Sequence, residues 1–375
     1  MPQKSLRFRL VAYSLPFIAL LIVFGTTELL LRQFWANGRY WHLERGIQGG
    51  IPIETNEQGF RGPVLGERRA NELRILAIGD STTFGMSEAY EDTWPAMLES
   101  LLVHELPDRH VVVANLAGIG RHPHLVATQL DRLIALDPDL IVYQLTLNDV
   151  VQRMDQLDQE KFQDVIRDAS RWEQLRWRTT GLHFSLGRWR TFGLLQYLYR
   201  TAFPLSAESQ VALGAYQFNS IGLGIEADNE AAWKDTEASL VQIATELKAQ
   251  DIPLLVTVLP YQFQISDAPS DDPYGFNQLE QRIDPVNRLR LIAAENDFLL
   301  YDLKPAFSTA SKTLQTDGNS GSSLFQPLDF VHPNAAGYRV VANAIQPIVL
   351  QLVVQPTSFV EQTFSVNQQL QLSDE

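Results

Sequence analysis

From residue 72 onward the chain alternates short apolar runs with longer segments of helical period. RILAIG (74–79) is a compact apolar run that ends on glycine. HVVVANL (110–116), DLIVYQLTL (139–147), IPLLVTVLP (252–260) and DFLLYDL (297–303) have the same character. Runs this short, rich in branched residues and with little alternation, predict strands buried on both faces. Between them, 91–106 places Trp94, Met97, Leu98, Leu101 and Leu102 on one stripe, and this spacing predicts an amphipathic helix. Helices are also predicted over 123–136, stopped by Asp137-Pro138, and over about 231–250. A last one spans 334 to about 352, with Asn334 as its cap and Pro347 as a kink or early end. Strand and helix in alternation over five strands predict a parallel sheet covered on both faces. Ligands of such sheets sit beyond the carboxyl ends of the strands, so polar residues there are the candidates for chemistry.

The first segment has a different pattern. Lys4, Arg7 and Arg9 precede an uncharged run from Leu10 to Thr27, about 27 Å long as a helix, and Leu29 to Leu31 extend it. The hydrocarbon core is about 30 Å thick, so the segment predicts a transmembrane anchor over 10–31 after a basic tail, 1–9. A cleaved signal peptide would share the basic start and apolar core, but no small-x-small cleavage site follows the run. Glu28 is expected at the bilayer boundary, reaching water or Arg32, with Trp35, Tyr40 and Trp41 as an interfacial belt. Basic residues flank both ends, so the charge rule is nearly balanced. The usual signal-anchor arrangement puts the large domain on the extracytoplasmic side; a cytosolic tethered domain is the alternative. The remaining organisation is a linker and entry segment over 32–71, a main domain over 72–354 with an irregular insertion at about 150–230, and a polar tail, 355–375.

Charge and composition narrow the function. Lys and Arg total 30 against 44 Asp and Glu, a net charge of −14, which argues against a nucleic-acid partner. The absence of cysteine removes disulfides, thiolate metal sites, a thiol nucleophile and a lipidated cysteine. Seven arginines with interleaved Trp172, Trp177 and Trp189 stand between 167 and 200 against two acids. That stretch fits anionic headgroups, an acidic glycan or a solvated helix face equally well.

Three strand ends and one late loop carry candidate chemistry. Gly79-Asp80-Ser81-Thr82-Thr83-Phe84-Gly85 follows the first strand and holds a serine at the sheet edge, where an Asp/Ser helix cap is the plain alternative. Asp329-Phe-Val-His332 has the spacing for a carboxylate to fix one ring nitrogen and leave the other free to accept a serine proton. Oxyanion donors are available from the Ser81 N–H, from a glycine of Asn115-Leu-Ala-Gly118-Ile-Gly120, and from the Asn148 amide of Thr146-Leu-Asn148-Asp149.

These four blocks resemble the SGNH (GDSL-type) hydrolase superfamily over roughly 72–352. The resemblance implies a three-layer α/β/α sandwich with a five-stranded parallel sheet, flavodoxin-like, preceded here by one transmembrane helix. It implies Ser81 as nucleophile, His332 as general base then acid, Asp329 as the orienting carboxylate, and Ser81, Gly120 and Asn148 as the oxyanion hole. Asp80 and Asp149 are then loop braces, and no metal or organic cofactor is implied. Thr146 stands where the family has glycine, and its side chain is expected to narrow the pocket or bend the asparagine loop. Asn56-Glu-Gln-Gly-Phe60-Arg61-Gly62 is similar to a stretch that membrane-anchored members carry before the first strand, with an expected packing role.

The implied activity is hydrolysis of an acyl ester of a lipid, glycan or small molecule through an acyl-enzyme. An O-acyltransferase acting on an extracytoplasmic glycan with the same triad is the alternative, and a non-catalytic binding module is a further one. His122 and His124 read as loop polarity near Gly120 rather than as zinc ligands. Tyr261 and Phe263 are placed either to shape a pocket or to fill the core.

Overall fold

The structure is a computed structural model that describes residues 6–34, 47–48, 51–52, 55–86, 88–150, 171, 174, 191, 194–195, 227–265, 285–316, 324–326 and 331–354. The chain divides into two compact units, one of Met1–Pro52 with Ala169–Leu205, the other of Ile53–Asp168 with Ser206–Glu375.

In the first unit, helix α1 (Leu6–Phe34) has 29 residues and is about 44 Å long, and it runs through Pro16. Among its described side chains, Leu20, Ile22, Val23 and Leu29 are all more than 60% exposed. Two-residue strands β1 (Ile47–Gln48) and β2 (Ile51–Pro52) pair antiparallel. Glu28 departs from the expectation of a solvated boundary residue. It is 4% exposed, and its carboxylate accepts the Thr191 backbone N–H at 2.8 Å and the Thr191 hydroxyl at 2.9 Å. Donors from the insertion replace water, a partner that spacing along the helix cannot reveal.

The second unit is built on β3 (Glu72–Gly79), β4 (His110–Asn115), β5 (Leu140–Thr146), β6 (Leu254–Leu259) and β7 (Leu299–Asp302). They form one parallel sheet in the order β4-β3-β5-β6-β7. All five predicted runs are strands, within one or two residues at each end. The order reverses at β3, with β4 on one side and β5 on the other, which is the switch point where such sheets open a crevice.

Alternate residues of β3 feed two separate cores. Leu76 and Ile78 pack with Tyr143, Trp233, Leu240 and Leu289 on one face. Leu73, Ile75 and Ala77 pack with Trp94, Leu98, Tyr338, Val341 and Ile345 on the other. Helices α6 (Ala227–Lys248) and α7 (Pro285–Glu295) belong to the first layer. Helices α3 (Trp94–Glu105) and α9 (Ala335–Val354) belong to the second. The result is the expected three-layer α/β/α sandwich.

The helices differ from expectation in detail. The segment 91–106 begins as a 3-10 turn at Tyr90–Asp92, and α3 starts only at Trp94. The helix expected over 123–136 is two, α4 (Pro123–Thr128) and α5 (Leu130–Ile134), interrupted at Gln129. Asn334 caps α9 by accepting the N–H groups of Ala336 and Gly337, and the helix runs through Pro347 to Val354. Helices α7 and α8 (Lys304–Thr316) have no counterpart in the expectation. Tyr261 and Phe263 are core, 0% and 2% exposed, with stacked rings.

Among the described residues α9 is the helix long and apolar enough to cross a membrane by length and composition. Val341, Ala342, Ile345, Val349 and Leu352 of that helix are buried against the sheet, which accounts for its apolar character. Helix α1 contributes the shorter apolar stretch Ile18–Leu31.

Candidate active site

The site forms where β3 ends. Gly79 has φ of +150°, and a Cβ there would collide with the Thr83 hydroxyl and would lie 2.6 Å from the Gln144 carbonyl, so the strand must leave on glycine. Asp80 follows in extended conformation and caps the four-residue helix α2 (Ser81–Phe84), its carboxylate accepting the Thr82 N–H at 2.8 Å. Gly85 ends that helix at φ +80°, with its N–H on the Ser81 carbonyl. Ser81 is thereby fixed at the helix start, 8% exposed.

The Ser81 hydroxyl lies 2.9 Å from His332 Nε2 and 3.4 Å from Asp80 Oδ2, so the imidazole is its nearer partner. Two residues 251 apart in sequence are brought into hydrogen-bond contact, His332 itself being 9% exposed. Asp329 lies outside the described residues, as does most of the arginine- and tryptophan-rich stretch.

Further strand ends are tied to the serine turn. From β4, the Asn115 side-chain amide donates to the Thr83 carbonyl at 3.0 Å, and the Gly118 N–H donates to the Gly79 carbonyl at 3.1 Å. Gly118 is therefore already used as a donor, which leaves Gly120, at φ +70°, as the glycine of that loop to consider for an oxyanion. From β5, Asn148 is half-buried, and its side-chain oxygen is enclosed without a partner among the described residues. Asp149 accepts the Thr146 N–H at 3.0 Å and so braces the loop that carries Asn148. Burial and the charge of Asp80 push the Asp149 carboxyl well above the usual carboxylate range.

Thr146 does not act as expected. It is fully buried, and its hydroxyl lies 3.0 Å from that of Thr82, so it points at the serine turn rather than into a pocket. The Thr82 hydroxyl donates to Asp80 Oδ1 at 2.7 Å and accepts from Gln144 Nε2 at 2.9 Å. Its single proton being spent on Asp80, the Thr146 hydroxyl must be the donor between the two threonines. Thr82, Gln144 and Asp80 form a buried network that spacing along the chain does not reveal. Its only sequence signal is a run of hydrogen-bonding side chains at positions otherwise typical of core.

His122 and His124 stack with ring centroids 6.2 Å apart. Among the described residues, no group of three or more His, Asp or Glu could hold a metal ion. A cavity of about 480 Å³ lies along the outer edge of β4, lined by Arg61, Leu65, Glu99, Val111 and Val113 among others. Neither Ser81 nor His332 lines it.

The model of the GDSL-like lipase/acylhydrolase family matches residues 77–340. The chain belongs to this family. It is accordingly a hydrolase acting on esters, and the match spans the serine turn, the Asn148 loop and His332. Solved structures similar to this GDSL-like hydrolase include a catalytic mutant of Axe2, an acetylxylan esterase from Geobacillus stearothermophilus. The two are 18% identical, with a TM-score of 0.39, over 77% of this chain and 96% of that one. Another is LAE5, an α/β hydrolase from the metagenome of Lake Arreo, at 17% identity and a TM-score of 0.38, over 76% of this chain and 97% of the other. A search of curated proteins returned no match.

Proposed function

We propose that this GDSL-like hydrolase cleaves an acyl ester through a Ser81–His332–Asp329 triad and an acyl-enzyme. The observation that carries the reading is the 2.9 Å contact between Ser81 Oγ and His332 Nε2. Ser81 Oγ attacks the ester carbonyl carbon as His332 Nε2 takes the hydroxyl proton. The carbonyl oxygen becomes an oxyanion, met by the N–H groups of Ser81 and Gly120 and the Asn148 amide. His332 returns the proton to the departing alkoxide, and Asp329 holds the ring in the tautomer this requires. Water then attacks the acyl-enzyme with His332 again as base. Activity falls below about pH 6, where a histidine base takes up a proton from solvent.

The substrate class is an acyl ester of a lipid, glycan or small molecule. Helix α1 is the membrane anchor in this reading, supported by its outward apolar side chains and its length of about 44 Å against a hydrocarbon core of about 30 Å. The enzyme domain then lies on the extracytoplasmic side. Protease accessibility in sealed cells stripped of any outer membrane tests that side, and cleavage only after the inner membrane is opened would reverse it.

The deciding experiment treats the full chain in detergent with a fluorophosphonate and maps the adduct by peptide mass. A single adduct on Ser81, lost in Ser81→Ala and in His332→Ala, is the expected result. An adduct on another serine, or none on folded protein, overturns the triad. Sugar acceptors added to the acyl-enzyme would reveal transfer in place of hydrolysis.

A further inference from the structure

Arg61 belongs to the Asn56–Gly62 turn, whose expected role is packing alone. Asn56 holds the turn: it accepts the N–H groups of Gln58 and Phe60 on its side chain and that of Gly59 on its carbonyl. The arginine that follows does more than pack. It is 3% exposed, and its guanidinium reaches the chain just past Ser81. Nη1 donates to the Phe84 carbonyl at 2.6 Å and to the Gly85 carbonyl, and Nη2 donates to the Glu88 carbonyl. Phe84 and Gly85 are the end of α2, where helix carbonyls lack intrahelical partners. The Phe84 ring also lies 5.3 Å from the guanidinium carbon. Burying this cation is costly, and burial pulls its pKa below the usual arginine range. Charge-assisted bonds to three carbonyls in a fixed fork offset that cost and hold the turn in one shape.

The contacts continue to the histidine. Glu88 is 2% exposed and accepts from Gln326 Nε2 at 2.6 Å. The Gln326 backbone N–H donates to the His332 carbonyl at 2.9 Å, and its side chain lies 3.3 Å from the Pro333 carbonyl. The path runs from the serine turn through Arg61, Glu88 and Gln326 to the backbone of His332. It closes through the Ser81–His332 hydrogen bond.

We propose that Arg61, Glu88 and Gln326 are positioning residues that set the approach of the His332 imidazole to the Ser81 hydroxyl. The inference rests on the Ser81–His332 pair proposed above. None of the three touches the reacting atoms. Their effect is on geometry, where a displacement of about 1 Å can cost about a hundredfold in rate.

The test uses the full chain in detergent, well below its melting temperature, with Gln326→Leu, Glu88→Ala, Glu88→Gln and Arg61→Lys. The readouts are the rate of fluorophosphonate labelling at Ser81 and kcat and KM for p-nitrophenyl acetate, with melting temperature in parallel. Gln326→Leu and Glu88→Ala are expected to slow labelling and kcat by about tenfold to a hundredfold, with KM within about twofold. Glu88→Gln, which keeps an acceptor for Gln326, should recover most of the rate. Arg61→Lys keeps the charge without the fork and should behave like Glu88→Ala; if it does not fold, Gln326→Leu decides. Wild type labelled at Ser81, with Gln326→Leu and Glu88→Ala melting lower but reacting at the wild-type rate, would overturn the positioning role alone. An unlabelled wild type would overturn the Ser81–His332 pair and this inference together.

Discussion

Replacing Thr82 by valine keeps the shape of a fully buried side chain and deletes one oxygen. That oxygen is the meeting point of three hydrogen bonds, to Asp80, Gln144 and Thr146. Asp80 Oδ1 retains the Thr82 N–H, so it is not stranded. The Gln144 amide and the Thr146 hydroxyl each lose an acceptor in a site without solvent access. An unmatched buried donor costs about 1–3 kcal/mol, so Thr82→Val should cost about 2–6 kcal/mol. Thr146→Val removes a single donor and leaves the Thr82 hydroxyl with both Asp80 and Gln144. Its cost should be about 0.5–1.5 kcal/mol, the net worth of one hydrogen bond. In the Thr82→Val background the second substitution removes a stranded hydroxyl and should cost nothing or stabilise. The cycle therefore has a coupling of at least about 0.5 kcal/mol. Urea titration of the full chain in detergent, followed by the fluorescence of buried Trp94 and Trp233, measures all four corners. A Thr146→Val cost equal to that of Thr82→Val, or a coupling of zero, would refute the proton assignment in the network.

Asn148→Ala should lower kcat for p-nitrophenyl acetate by about a hundredfold to a thousandfold, the usual loss for one oxyanion donor; a loss under tenfold would remove Asn148 from that role. Gly79→Ala should destabilise by about 2–5 kcal/mol, since its Cβ meets Thr83 and the Gln144 carbonyl at a positive φ; an unchanged melting temperature would count against a strand exit at β3 that only glycine can make. Burial raises the folded pKa of Asp149 well above the unfolded value of about 3.9. Its contribution is present below that value and is lost as pH rises through the folded pKa. Asp149→Asn keeps an acceptor for the Thr146 N–H, so its melting temperature relative to wild type should rise between pH 4 and pH 8; a relative fall would reverse the sign.

The sheet is legible because a strand buried on both faces has to be a continuous apolar run, and each of the five runs has nowhere else to go. The bounds of β3 through β7 follow from that constraint. Helices α7 and α8 escape the periodicity reading although each carries proline in its first two positions, a helix-start signal, and α7 carries the stripe Leu289, Ile292 and Ala293. Helix α8 is mostly polar with a narrow apolar stripe. The break at Gln129 is invisible in the sequence because both halves keep one apolar periodicity. The burial of Glu28 is equally hidden, because its partner, Thr191, comes from a segment 163 residues away.

The candidate site divides along the same line. Ser81 is legible because the switch-point rule directs chemistry to strand ends, and its hydroxyl does meet His332 there; Gly120 and Asn148 are candidates by the same rule. His332 is singled out in the sequence by the local D-x-x-H spacing, and the structure brings it to Ser81. The residues that hold them have no comparable signature. Arg61 meets backbone carbonyls, which every residue possesses, so nothing in the sequence of its targets marks the contact. Thr146 shows the converse. At the family's glycine position its side chain looks like an intrusion, yet Thr82 supplies an acceptor that makes it a tie between the asparagine loop and the serine turn. A departure from a family pattern is thus interpretable only with its contact partner, and here that partner lies 64 residues away on the neighbouring strand end.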